Sequence, residues 1–141
     1  MSQESKPKKA PKVIWNDAET DALVTYLHTE CSKIGDSGIF KPQVYNDTAT
    51  AIAAHLTLGP IKTGGHCKTK WQSLKTIYHV IENYHLHTSG THWDNQIGAG
   101  IEGKAASDVW DAYMEKKANH VMCPYRNTGW TYYAQMQEIM P

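Results

Sequence analysis

No apolar run in this sequence is long enough to span a bilayer. The first twelve residues, MSQESKPKKAPK, have no apolar stretch behind their charges, which excludes the pattern of a secretory signal there. Cysteine is scarce. Cys31, Cys67 and Cys123 are odd in number, widely spaced and without a CxxC pair. That excludes a disulfide framework and points to reduced thiols in an intracellular protein. Eight histidines are present, with His85, His87 and His92 close in sequence and His120 three residues before Cys123. None of these sets has the paired spacing of a structural zinc site, so the expectation is a chain without metal or other cofactor. A nucleophile elbow and a phosphate loop are also missing, which leaves no grounds for an enzyme or a small-molecule substrate. There is no internal repeat and no convincing strand.

Net charge is missing too. Fourteen Lys and Arg balance fourteen Asp and Glu, and the pI is near 7.1. A strong general affinity for polyanions is not expected from such a balance. The distribution is uneven, however. Residues 1–12 carry four lysines against Glu4, residues 13–58 two lysines against six acids, and residues 82–141 four bases against seven acids. Residues 59–81 carry Lys62, Lys68, Lys70 and Lys75 against no acid at all. Two basic segments therefore sit in an otherwise acidic molecule.

What is present is helical periodicity. At 141 residues and 40% apolar, the chain has the makings of one domain and its core. Residues 1–12 read as a basic, disordered arm. A first helix starts after Asn16, where Glu19 completes a capping-box pattern, and carries Ala22, Leu23, Tyr26, Leu27 and Ile34 inward until Gly35–Gly38 stop it. Phe40 and Pro42 are read as loop. A second helix is expected from about Asp47 to Leu56, with Ala49, Ile52, Ala53 and Leu56 inward. The third, capped by Thr63, runs to about His87. Ser89 to Gly103 is a long loop holding Trp93, followed by helices near 106–118 and 128–140. The fold class is all-α, with an arm at 1–12, a three-helix core at 13–88 and, at 89–141, a loop and helical extension packing on that core. The five tryptophans are read as core rather than as platforms for stacked bases.

The stretch KTGGHCKTKWQSLK, residues 62–75, holds the main functional signal. Cys67, Trp71, Leu74, Tyr78 and Ile81 recur at steps of four and three, which places them in one apolar stripe. Gly65, Thr69, Gln72 and Thr76 fall opposite, with Lys68 and Lys75 flanking that face on one side and Lys70 toward the other. One side is suited to a core and the other presents small polar groups between lysines.

This stretch resembles the third helix of Myb/SANT repeats, and Trp15 with the acidic helix behind it resembles the start of such a repeat. GTHWD (90–94), VWDAYMEKK (109–117) and PYRNTGW (124–130) are similar to the fungal and plant Myb/SANT-like domain of transposon-related and nuclear proteins. The resemblance implies a three-helix helix-turn-helix variant with additional C-terminal helices, whose third helix reads the major groove of duplex DNA in the nucleus. It implies that Lys68, Thr69, Gln72 and Ser73 face the bases. Gln can bond adenine in two places, Lys can reach guanine and the Thr methyl can touch thymine. Lys62, Lys70 and Lys75 are then expected near phosphates, as are the backbone at Thr63 and Gly64 and the arm lysines Lys8, Lys9 and Lys12. The second tryptophan of the repeat is absent, and Tyr45 or Phe40 takes its place. The acidic first half is similar to SANT modules that bind proteins. The alternative partner is therefore a transposase, a histone tail or another chromatin factor.

Overall fold

The computed structural model describes residues 12–87 and 91–141, so most of the arm lies outside the described residues. Its elements are helices α1 (Asp17–Thr29), α2 (Pro42–Ile52), α3 (Gly64–His87), α4 (Gly103–Met114) and α5 (Tyr133–Ile139). Short 3-10 segments follow α1, α2 and α4, at Cys31–Lys33, Ala53–His55 and Lys117–Tyr125. No strand occurs among the described residues. A single antiparallel bridge joins Asp94 and Gly98. The fold is all-α.

Helix α1 begins as its sequence dictates. The Asn16 side chain accepts from the Glu19 N–H at 2.7 Å, and Glu19 Oε1 accepts from the Asn16 N–H at 3.1 Å. This reciprocal pair satisfies two of the donors that a helix start leaves open. Leu23, Val24 and Leu27 go inward. The helix ends at Thr29, before the glycines expected to stop it, and one tight turn carries the chain on to Ile34.

Helix α2 starts earlier than expected, at Pro42 rather than near Asp47. Proline at the first helical position lacks only an N–H that would have had no partner, and its fixed φ suits the first turn. The buried set is Val44, Tyr45, Thr48 and Ile52. Of the four residues expected inward, Ile52 is buried, Ala49 and Leu56 are half-buried, and Ala53 is exposed.

Helix α3 is the central element. Cys67, Trp71, Leu74, Tyr78 and Ile81 are all buried, joined by Tyr84. Trp71 is wholly buried. Its indole Nε1 donates to the Gly38 carbonyl at 2.8 Å, and its ring meets Phe40 edge-on at 5.6 Å. Phe40 also meets Tyr45, with centroids 6.0 Å apart. Of the two candidates for the missing tryptophan, Phe40 packs beside Trp71 and Tyr45 packs behind Phe40.

The C-terminal third differs most from expectation. Helix α4 stops at Met114, although the apolar pattern suggested continuation to about residue 118. Asn119 Nδ2 donates to the Tyr113 carbonyl and a His120 ring nitrogen bonds the Met114 carbonyl, both at 2.8 Å. These side chains take over carbonyls of the last turn, which have no partner within the helix. Helix α5 is shorter than expected and packs on α1 and α3. The Tyr132 hydroxyl donates to Asp21 and the Tyr133 hydroxyl to Glu82. Burial first, and then these carboxylates, push both phenols far above their ordinary range. The loop after α3 is locked to the chain before α5 by close backbone approach. A Cβ on Gly98, whose φ is +65°, would stand 2.2 Å from the Tyr125 carbonyl oxygen. Trp93, Trp110 and Trp130 are buried in the same core as Trp71, and Trp15 is half-buried at its edge.

Candidate nucleic-acid interface

The side of α3 opposite its apolar stripe faces outward. Lys68, Thr69, Gln72, Ser73 and Thr76 are exposed. The Thr69 hydroxyl donates to the Gly65 carbonyl at 3.1 Å and that of Thr76 to the Gln72 carbonyl at 3.0 Å. Both hydroxyls are thus turned back onto the helix. Gln72 has no such internal bond, so its amide is free to bond bidentately elsewhere.

The start of α3 is fixed by an unusual cap. Thr63 Oγ1 accepts from the His66 N–H at 3.3 Å, while His66 Nδ1 accepts from the Thr63 N–H at 3.0 Å. His66 does here what Glu19 does in α1, with an imidazole nitrogen in place of a carboxylate. The sequence pattern names Thr63 alone as the cap of this helix, without a partner for it. The signal for the capping role of His66 was its position three residues after Thr63. The same bond occupies the Thr63 N–H that was expected to hold a phosphate. Gly64 is buried against α2, where a Cβ would lie 2.1 Å from Asn46 Oδ1. A small cleft of about 260 Å³ opens between the two helix starts, lined by Ile39, Pro42, Tyr45, Gly64 and Lys68 among others.

The lysines divide. Lys68 is exposed, and Lys75 is half-buried with its stem beside Gly38. Burial, with the nearby Lys68 charge, moves the Lys75 pKa down. Lys70 turns toward α1, its ammonium 5.5 Å from the Trp15 ring centroid. Burial lowers its pKa and the Asp17 carboxylate opposes that shift. Lys62 is a correction to the expected phosphate set. Its side chain is 1% exposed and its ammonium lies 2.5 Å from Glu19 Oε2, which is equally buried, and 5.0 Å over the Trp15 ring. A charge already paired and enclosed cannot also neutralise a phosphate. Lys12 is exposed, while Lys8 and Lys9 lie outside the described residues.

The acids of the first helix are largely engaged. Glu19 holds Lys62 and Asp21 accepts from Tyr132, so only Asp17 is exposed without a direct bond. Past α1, Glu30 pairs with Lys33 at 2.7 Å. No helix among the described residues is long and apolar enough to cross a membrane.

These features define a helical module built around one long helix, with an apolar face turned inward and a polar, lysine-flanked face turned out. The family model described as the Myb/SANT-like DNA-binding domain matches residues 12–96, and the chain belongs to that family. The match takes in α1 to α3 and the loop through Trp93, while α4 and α5 follow it in sequence. No curated protein and no solved structure matches the chain. Membership supports a DNA-binding role, with duplex or other DNA as a partner, in a family that is generally non-enzymatic.

Proposed function

We propose that the chain binds duplex DNA by laying the exposed face of α3 in the major groove. Gln72 and Lys68 then reach base edges, with Thr69 and Ser73 beside them. Lys75 and Lys70 follow the phosphates at either flank, and Lys12 with the arm lysines Lys8 and Lys9 extends the backbone contact. A eukaryotic nucleus is the compartment this reading implies, with a role of the transcription-regulator or transposon-derived type.

One observation carries the reading. Four neighbouring polar side chains of α3, Lys68, Thr69, Gln72 and Ser73, stand exposed on a helix whose other face is core. An α-helix fits the major groove, and those side-chain types match the donors and acceptors displayed there. Phosphate contacts supply affinity and salt dependence, while base contacts supply preference. The adaptor alternative, with a transposase, histone tail or chromatin factor as partner, leans on an acidic first helix. Two of that helix's three acids are already bonded within the protein. Binding to random duplex DNA at two salt concentrations tests the proposal. Affinity should fall as salt rises, with a slope set by the number of phosphates neutralised. Binding absent at the lower salt would remove duplex DNA as the partner.

A further inference from the structure

The residue immediately before the α3 cap is a buried lysine, and its counter-charge comes from another helix. Lys62 Nζ lies 2.5 Å from Glu19 Oε2, with side chains 1% and 2% exposed. The other Glu19 oxygen, Oε1, closes the α1 capping box. The Trp15 ring covers the Lys62 ammonium at 5.0 Å and meets that of Lys70, eight residues further along, at 5.5 Å. One carboxylate therefore ties together the start of α1 and the start of α3. One indole touches the start of α3 and a point two turns along it.

An enclosed ion pair is a poor source of net stability. Removing both charges from water costs about as much as their attraction returns, and apolar packing of the same volume serves as well or better. What an ion pair has and apolar packing lacks is direction. A hydrogen-bonded ammonium and carboxylate define both distance and angle, whereas methylenes slide. Reading a base edge needs side chains held to within about 0.5 Å and 10–20°. Gln72 and Lys68 take their placement from the start of α3.

We infer that Glu19 and Lys62 are positioning residues for base reading. Neither touches DNA, and the pair, packed under Trp15, sets the angle at which α3 presents Lys68, Thr69 and Gln72. The inference rests on the duplex-reading proposal above and assigns that surface its source of sequence preference. It also accounts for the separation of the lysines of this segment into one that orients the helix and others that meet the solvent.

The test is the double variant Glu19→Gln/Lys62→Met. It removes one positive and one negative charge, so the net charge is unchanged. Glutamine keeps the capping box. Melting temperature, affinity for a duplex selected from a random pool, affinity for unselected duplex and salt slope are measured against the parent. The expected result is a melting temperature at or above the parent's, with unselected binding and salt slope unchanged. Preference for the selected duplex should fall by about tenfold, the order of one lost base contact. Glu19→Gln alone leaves the Lys62 ammonium buried without its counter-charge and should melt lower than the double variant. Glu19→Asp serves as the second variant. It keeps both charges, draws the carboxylate back by one carbon, and should also lose preference while staying helical. Full preference in the double variant, or in Glu19→Asp should the double variant fail to fold, overturns the inference. An equal loss on both kinds of duplex overturns it as well. A parent that selects no duplex at all removes the underlying reading, and that result is visible before any variant is made.

Discussion

Replacing Trp71 by alanine should cost the protein most of its stability margin. Trp71 is wholly buried between α3 and the loop before α2, with Phe40 edge-on at 5.6 Å. Deleting a buried tryptophan ring costs about 3–5 kcal/mol, the spread reflecting how far the neighbours relax into the space. Phe40 and Gly38 are tied into the turn before α2, so little relaxation is available. The Gly38 carbonyl, which accepts the indole N–H at 2.8 Å, is left without its donor. A buried acceptor stranded in this way adds about 1–3 kcal/mol. A domain of this size is stable by about 5–15 kcal/mol in all. The variant should therefore melt on the order of 10–20 °C lower, or be unfolded at room temperature. Thermal melting followed by far-ultraviolet circular dichroism reads this directly. Trp71→Phe, which loses the hydrogen bond but keeps much of the ring, should fall between. A melting temperature for Trp71→Ala within a few degrees of the parent would show that Trp71 does not anchor the core, and the register of α3 would have to be redrawn.

Alkali should destabilise the protein through Tyr132 and Tyr133, whose folded pKa values are raised above the ordinary 10.0. The unfolded chain then loses phenolic protons first. Stability from this source is complete below about pH 10 and declines as pH rises above it. Replacing both by phenylalanine should flatten the decline, and an unchanged alkaline profile would show that the two phenols carry none of it. Removing residues 1–12 should weaken binding to all duplexes by a similar factor and lower the salt slope, because the lysines of such a basic arm follow phosphates rather than bases. A truncated chain that lost its preference for a selected site would make the arm a base reader. A zinc chelator should leave the helical signal unchanged, since the histidines and cysteines lack ligand spacing. Collapse of that signal would require His85, His87, His92, His120 and Cys123 to be read again as ligands.

The parts legible in the sequence were those governed by local rules. The α1 capping box is chemistry between residues three apart, and the α3 stripe repeats often enough for its phase to be unmistakable. Helix α2 begins ahead of its expected start because Pro42, which signals a loop, also favours a first helical turn. The end of α4 was hidden for a different reason. Asn119 and His120 fold back on its last carbonyls, which no apolar period records. At the site, periodicity found the outward face of α3 but could not sort the lysines. Lys62 lies just before the helix, outside its periodic pattern, and its partner Glu19 is 43 residues away in sequence. The acidic first helix likewise read as free charge because the bonds of Glu19 to Lys62 and of Asp21 to Tyr132 are long-range.

The most direct test of the duplex-reading account compares Gln72→Ala with Lys75→Ala on a selected duplex and on random duplex DNA. Gln72 is exposed opposite the core stripe, and Lys75 sits at the margin of that face. Gln72→Ala should cost about 1–3 kcal/mol on the selected duplex and little on random DNA, as expected for a residue that meets a base. Lys75→Ala should weaken both alike and lower the salt slope by about one unit, as expected for a residue that meets a phosphate. Both should retain parental helicity. If both variants bind the two duplexes as the parent does, the outward face of α3 does not enter the groove and the account is contradicted.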